Sequence, residues 1–161
     1  MSLERTARFV YNRAMRWGFE SIDTWWWWAQ CATTWALVGL IWVVQVVIYP
    51  QMARMVPEGF ASWHHAYAGR ISRVVVPLMG AEAILVAAWV FASPTVLAGW
   101  ISAILILIIW LSTICIQIPL HRRLASGWNE ATIERLVATN WIRTLAWTLR
   151  GGIVLAAVVV G

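Results

Sequence analysis

Long apolar stretches alternate with short polar connectors along this chain, and each stretch is close to the roughly 20 residues that cross a bilayer core as a helix. The first covers about 30–49, and Pro50 is expected to end it, because proline has no backbone N–H and its ring crowds the carbonyl four residues back. A second helix is expected to begin near Phe60, to reach apolar surroundings around Val74 and to continue to Phe91. Ser93 and Pro94 then turn the chain within a few residues. The third stretch covers about 96–118, with Pro119 at its exit, and the fourth about 137–160. The connector 119–136 is polar, and 129–136 is expected to form a short surface helix. None of the stretches alternates polar and apolar residues as barrel strands do. The pattern predicts an all-α integral membrane protein of the cell membrane: a multi-pass, up-down four-helix transmembrane bundle with spans near 30–49, 74–91, 96–118 and 137–160. The brief turn at 93–94 makes the second and third spans antiparallel neighbours.

The bundle occupies 25–161. Ahead of it, residues 1–24 interleave Arg5, Arg8, Arg13 and Arg16 with Phe9, Val10, Trp17, Phe19 and Ile22. That mixture predicts an interfacial amphipathic segment. It lacks the small-residue cleavage site of a secretory signal.

Composition strengthens the membrane reading. Hydrophobic residues make up 61% of the chain, charged residues only 12%, and mean hydropathy is +0.72. A soluble domain is nearer about 45–50% apolar and about 25% charged. The net charge is +5, and every basic residue is Arg. No stretch is both basic and soluble, so nucleic acid is not expected as a partner; Arg at span ends holds lipid headgroups and sets topology. Four Arg precede the first span, and loops 50–73 and 119–136 carry six between them. The raw count places the two loops in the cytoplasm; the charge flanking the first span alone gives the opposite orientation. Fourteen Trp are present, with Trp25, Trp26, Trp27 and Trp28 consecutive just before the first span. Such a run suits an interfacial belt, with an aromatic-ligand site as the other reading. Cys31 and Cys115 lie in apolar segments and form neither a metal motif nor a disulfide framework.

Polar residues within spans are expensive and need a reason. The second span carries Glu82. The fourth carries Asn140, Arg143 and Arg150, which with Trp147 share one helix face in a stripe about 15 Å long. Counting from Val74 and Val137, Glu82 lies about 12 Å deep, Arg143 about 9 Å and Arg150 about 20 Å. Glu82 is therefore expected to pair with one arginine, Arg143 preferred. Such a pair either fixes helix register or orients a ligand and carries protons. A second polar group gathers toward one membrane face: His64, His65, Tyr67, Arg70 and Arg73 before the second span, Gln117 and His121 ending the third, Gln45 and Tyr49 ending the first. His64 or His65 with His121 could hold a b-type haem, and three His with Glu58 or Glu130 a divalent metal. No HExxH, CxxCH or Glu-x-x-His motif is present, so no metal ligand is assigned and the cofactor stays open. A quinone or other flat lipophilic ligand fits the same residues.

Several of these residues form a pattern: Gln45-x3-Tyr49-Pro50, Phe60-x3-His64-x2-Tyr67-x2-Arg70-Ile71, Pro77-x4-Glu82, Pro119-x-His121, Asn140-Trp141-x-Arg143-Thr144 and Trp147. It resembles a group of small four-helix bacterial membrane proteins and, more distantly, the anthrone-oxygenase-like family. That resemblance implies four spans and, as for some members of the family, action on polycyclic aromatic substrates with molecular oxygen, with His64, Arg70, Asn140 and Arg143 at the matching positions. Pro119-x-His121 stands where that family has Pro-x-Asn. The expected site has His64 as base and Arg143 as oxyanion stabiliser. His65, Tyr67, Arg70, Glu82, Gln117, His121 and Asn140 are the expected ligand-binding residues. Two other functions fit the chain. One is a non-catalytic accessory subunit of a larger membrane complex, for which Gly151-Gly152 and Ala156-Ala157 allow close helix approach. The other is a small transporter or channel built as a homo-oligomer. The expected partners are the lipid bilayer, a lipophilic small molecule, and a membrane complex or further copies of the chain.

Overall fold

The computed structural model describes residues 24–160, and the described residues contain helices and no strand. The amphipathic segment expected over 1–24 lies outside them, apart from Thr24. Helix α1 (Thr24–Val43) passes through a π-helical turn at Val44–Ile48 into α2 (Tyr49–Ala53). Helix α3 covers Phe60–Ala92. Helix α4 (Leu97–Ser112) passes through a second π-helical turn at Thr113–Gln117 into α5 (Ile118–Leu124), and α6 covers Glu130–Val160. This makes four rods long and apolar enough to cross a membrane: Trp25–Ala53, Phe60–Ala92, Leu97–Leu124 and Glu130–Val159. The fourth has the lowest hydropathy, 1.5 against 2.5 for the third, because it carries the polar stripe.

The prolines act differently from expectation. Pro50 does not end the first rod and Pro119 does not end the third. In the π-helical turns the Tyr49 N–H reaches back five residues to the Val44 carbonyl, and the Ile118 N–H to the Thr113 carbonyl. This slip of one residue leaves each proline in the first turn of a new α-helix, where no N–H is required. Each rod therefore continues past its proline. Pro77 is likewise carried inside α3. The surface helix expected over 129–136 is not separate: α6 starts at Glu130, and the Asn129 side chain caps it by accepting the Thr132 N–H at 2.8 Å. Gly59, at φ 78°, turns the chain sharply into α3.

Helix α6 packs chiefly against α1 and α4, and α3 packs against the same two, so α3 and α6 stand diagonally across the bundle. The main core runs through Leu37, Ile41, Val44, Met52, Ile109, Leu136 and Trp147. A second cluster closes the other end around Trp26, Trp27, Trp89 and Ala157. The tryptophan run is divided by helical periodicity. Trp25 and Trp28 are exposed; Trp26 and Trp27 are buried, with Trp27 packed edge-on against Trp89 at 4.9 Å between centroids. Only the outer pair has the exposure an interfacial belt requires.

Gly151 brings α6 close to α1. A Cβ there would stand 3.3 Å from Val38 and 3.4 Å from Trp35. Gly151→Leu is expected to lower stability by about 1–3 kcal/mol through overpacking, read as a lower Tm in detergent. Unchanged melting would show that the α1–α6 contact yields.

Candidate functional site

The buried polar residues separate into two groups. In the inner group, Arg150 and Glu82 are both fully buried and form a salt bridge through Nη1 and Oε1. The same Nη1 donates to Thr34, and Nη2 donates to the Gln30 side-chain oxygen, Oε1, at 2.5 Å. Trp147 donates its indole N–H to the other Glu82 oxygen at 2.8 Å. Glu82 is thus paired with Arg150, and the preference for Arg143 is corrected. Depth counted from Val74 and Val137 placed Glu82 between the two arginines. The relative slide of α3 and α6 sets it level with Arg150 and Trp147 instead.

The outer group is built on the two π-helical turns. Each turn contributes a glutamine, Gln45 and Gln117, to the interior. Such wide turns inside helices recur at functional sites. Gln45 donates to the Val137 carbonyl at 3.2 Å and accepts the Asn140 amide at 2.6 Å. The Asn140 Oδ1 in turn accepts Arg143 Nε–H at 3.0 Å and a second N–H from Nη2. Arg143 Nη1 reaches the Thr113 hydroxyl at 3.4 Å. Gln117 donates to the Thr139 hydroxyl at 3.1 Å. Arg143 is 7% exposed, and no carboxylate among the described residues lies within salt-bridge distance of it. The phenol of Tyr49 hydrogen-bonds it, and that of Tyr67 lies nearby.

Beside Arg143, three side chains form a hydrogen-bonded chain. His64 Nε2 and His121 Nδ1 are 3.0 Å apart, and His121 Nε2 is 3.3 Å from the Tyr49 hydroxyl. Phe60 stacks on His64. His64 is buried, and its Nδ1 has no hydrogen-bond partner.

A cavity of about 340 Å³ opens between the N-terminal half of α3 and the rest of the bundle. Tyr49, His64, Tyr67, Gln117, His121 and Arg143 line its polar side. Leu40, Ile41, Val44, Ile71, Val75 and Met79 form apolar wall, and Trp147 also borders it. Of the expected site residues, His64, His65, Tyr67, Gln117, His121 and Arg143 meet at this cavity. His65 borders it with a largely exposed side chain. Asn140 lies behind Arg143 and orients it, and Glu82 belongs to the inner group. Arg70 is exposed and lines a separate shallow groove with Trp63 and Tyr67, whose rings stack in parallel at 5.3 Å. Three more residues border the cavity: Tyr49, expected in the polar group at this face, Trp147, expected on the polar stripe of the fourth span, and Thr113, which was not expected. Nothing in the spacing pointed to Thr113.

The histidine geometry bears on metals. His64 and His121 direct their nitrogens at each other at hydrogen-bond distance, which leaves no room for haem iron between them. Among the described residues no group of three or more His, Cys, Asp and Glu is placed to hold a metal ion. Comparison with protein-family models, curated proteins and solved structures finds no match to this chain.

Proposed function

We propose that this chain is an up-down four-helix integral membrane protein of the cell membrane, whose cavity binds a lipophilic ligand with a flat, oxygenated aromatic or quinone-like head. The apolar rods support the membrane assignment. So do the large apolar side chains directed outward, among them Ile84, Phe91, Leu97, Ile104, Leu107 and Leu149. One observation carries the ligand assignment: the cavity is apolar along its walls and polar at one end, where His64, His121, Tyr49 and Arg143 converge. Its volume of about 340 Å³ is of the size that accepts a small organic molecule. The hydrophobic tail or ring edge would lie along Val44, Val75 and Met79, with the oxygens at the polar end.

The resemblance to the anthrone-oxygenase-like family supports an aromatic substrate. In a reaction of that class, the His64–His121 pair is the group placed to take a phenolic proton. Arg70 stands outside this cavity and has no part in that step.

Trp147 borders the cavity, so intrinsic fluorescence can report occupancy. Titration of the purified protein in detergent with menadione is expected to give saturable quenching. Ala68 also lines the cavity, and Ala68→Leu, which adds no fluorophore, is expected to weaken binding by about tenfold or more by filling it. Quenching that never saturates, or that is unchanged in Ala68→Leu, would overturn the assignment.

A further inference from the structure

The bundle buries two arginines on the same face of α6, two turns apart, and treats them differently. Arg150 has a carboxylate, Glu82, together with Thr34 and Gln30. Arg143 is 7% exposed and borders the cavity, and its partners are Asn140, Thr113 and the Tyr49 phenol, none of them a carboxylate. A charge removed from water without a counter-charge is strongly disfavoured. Arg150 shows how this fold compensates a buried guanidinium when the protein itself supplies the anion. At Arg143 the described residues supply none. They supply instead a fixed orientation: Gln45 holds Asn140, and Asn140 holds the Nε and Nη2 side of the guanidinium. The remaining N–H groups turn toward Tyr49 and the cavity.

We infer that the cavity selects its ligand as an anion, a lipophilic weak acid whose phenolate, enolate or carboxylate oxygens bind Arg143. This rests on the reading of the cavity as a ligand site and adds the charge state of what enters it. Planar guanidinium recognises two coplanar oxygens well, so an acid with a neighbouring carbonyl fits best. The apolar walls exclude small hydrated anions such as chloride or phosphate, which would leave water without replacement contacts. A carboxylic acid arrives already ionised. A phenolic ligand releases its proton on binding, either to solvent or to the His64–His121 pair beside Arg143.

The test uses a matched pair on the purified full chain at neutral pH: 2-hydroxy-1,4-naphthoquinone, a vinylogous carboxylic acid already ionised there to its coloured enolate, and its neutral 2-methoxy ether. The hydroxy compound is expected to bind at least about tenfold more tightly and to show the enolate spectrum when bound. Arg143→Gln is expected to remove that preference, and Arg143→Lys to keep part of it. Equal affinity for the two compounds in the unmodified protein, or a bound hydroxy compound in its neutral form, overturns the anion inference while leaving the cavity assignment standing. Saturable binding of neither compound overturns both. The comparison on the unmodified chain decides the matter even if Arg143→Gln fails to fold.

Discussion

Glu82→Leu lowers the stability of the protein by about 3–5 kcal/mol, the expected penalty for removing one partner of a buried ion pair. The reason lies in what remains. Arg150 has no exposed surface, and its only carboxylate among the described residues is Glu82. Without it the guanidinium keeps Thr34 and Gln30 as hydrogen-bond partners but has no counter-charge. The Trp147 indole N–H also loses its acceptor, which adds about 1 kcal/mol. The pair and its partners join α1, α3 and α6 across the middle of the bundle, so the loss is felt by three helices. The double variant Glu82→Leu/Arg150→Met removes both charges and is expected to recover most of the stability, because an apolar pair fills the same space without desolvation. Thermal melting in one detergent measures both. A single variant that melts with the unmodified protein, or a double variant worse than the single, would contradict this account.

Asn140→Asp abolishes anion selectivity while keeping the fold. Asn140 Oδ1 already accepts two N–H groups from Arg143, so an aspartate there neutralises the guanidinium from behind. A ligand anion then brings a second negative charge to a site already balanced. The expected loss is about 2–3 kcal/mol of binding, roughly 30- to 150-fold, for the hydroxynaphthoquinone enolate. The methoxy compound is expected to bind as before. The fold tolerates the change at the expense of one bond: the Gln45 amide turns over to donate to the new carboxylate and gives up the Val137 carbonyl, which costs about 1 kcal/mol. Absorption titration of both compounds reads the result. Undiminished enolate binding by Asn140→Asp would mean that Arg143 is not the anion's partner.

Part of this site was visible in the residue order. The stripe Asn140, Arg143, Trp147 and Arg150 follows from helical spacing, and all four are buried. His64 and His121 could be placed at one end of the bundle because the second and third apolar stretches share a connection near 93–94. The two misplaced helix ends have one origin. Pro50 and Pro119 read as stops under the ordinary i to i−4 pattern, but each follows a turn whose N–H reaches back five residues. That slip also shifts the face that the residues after each turn present. Spacing rules built on a uniform helix could not show it.

The residue order by itself determined that this chain forms four long apolar helices, and which polar side chains share a face within each one. Both follow from properties local to a helix: hydrophobic density over about 20 residues and a repeat of 3.6. Only the tertiary structure decided how the helices slide and turn against one another. That slide gave Glu82 to Arg150, left Arg143 without a carboxylate among the described residues, and brought His64, His121 and Tyr49 into one hydrogen-bonded chain. The physical reason is that the offset between two rods is set by close contacts such as Gly151 on Val38 and by the π-helical turns, and neither has a period along the chain.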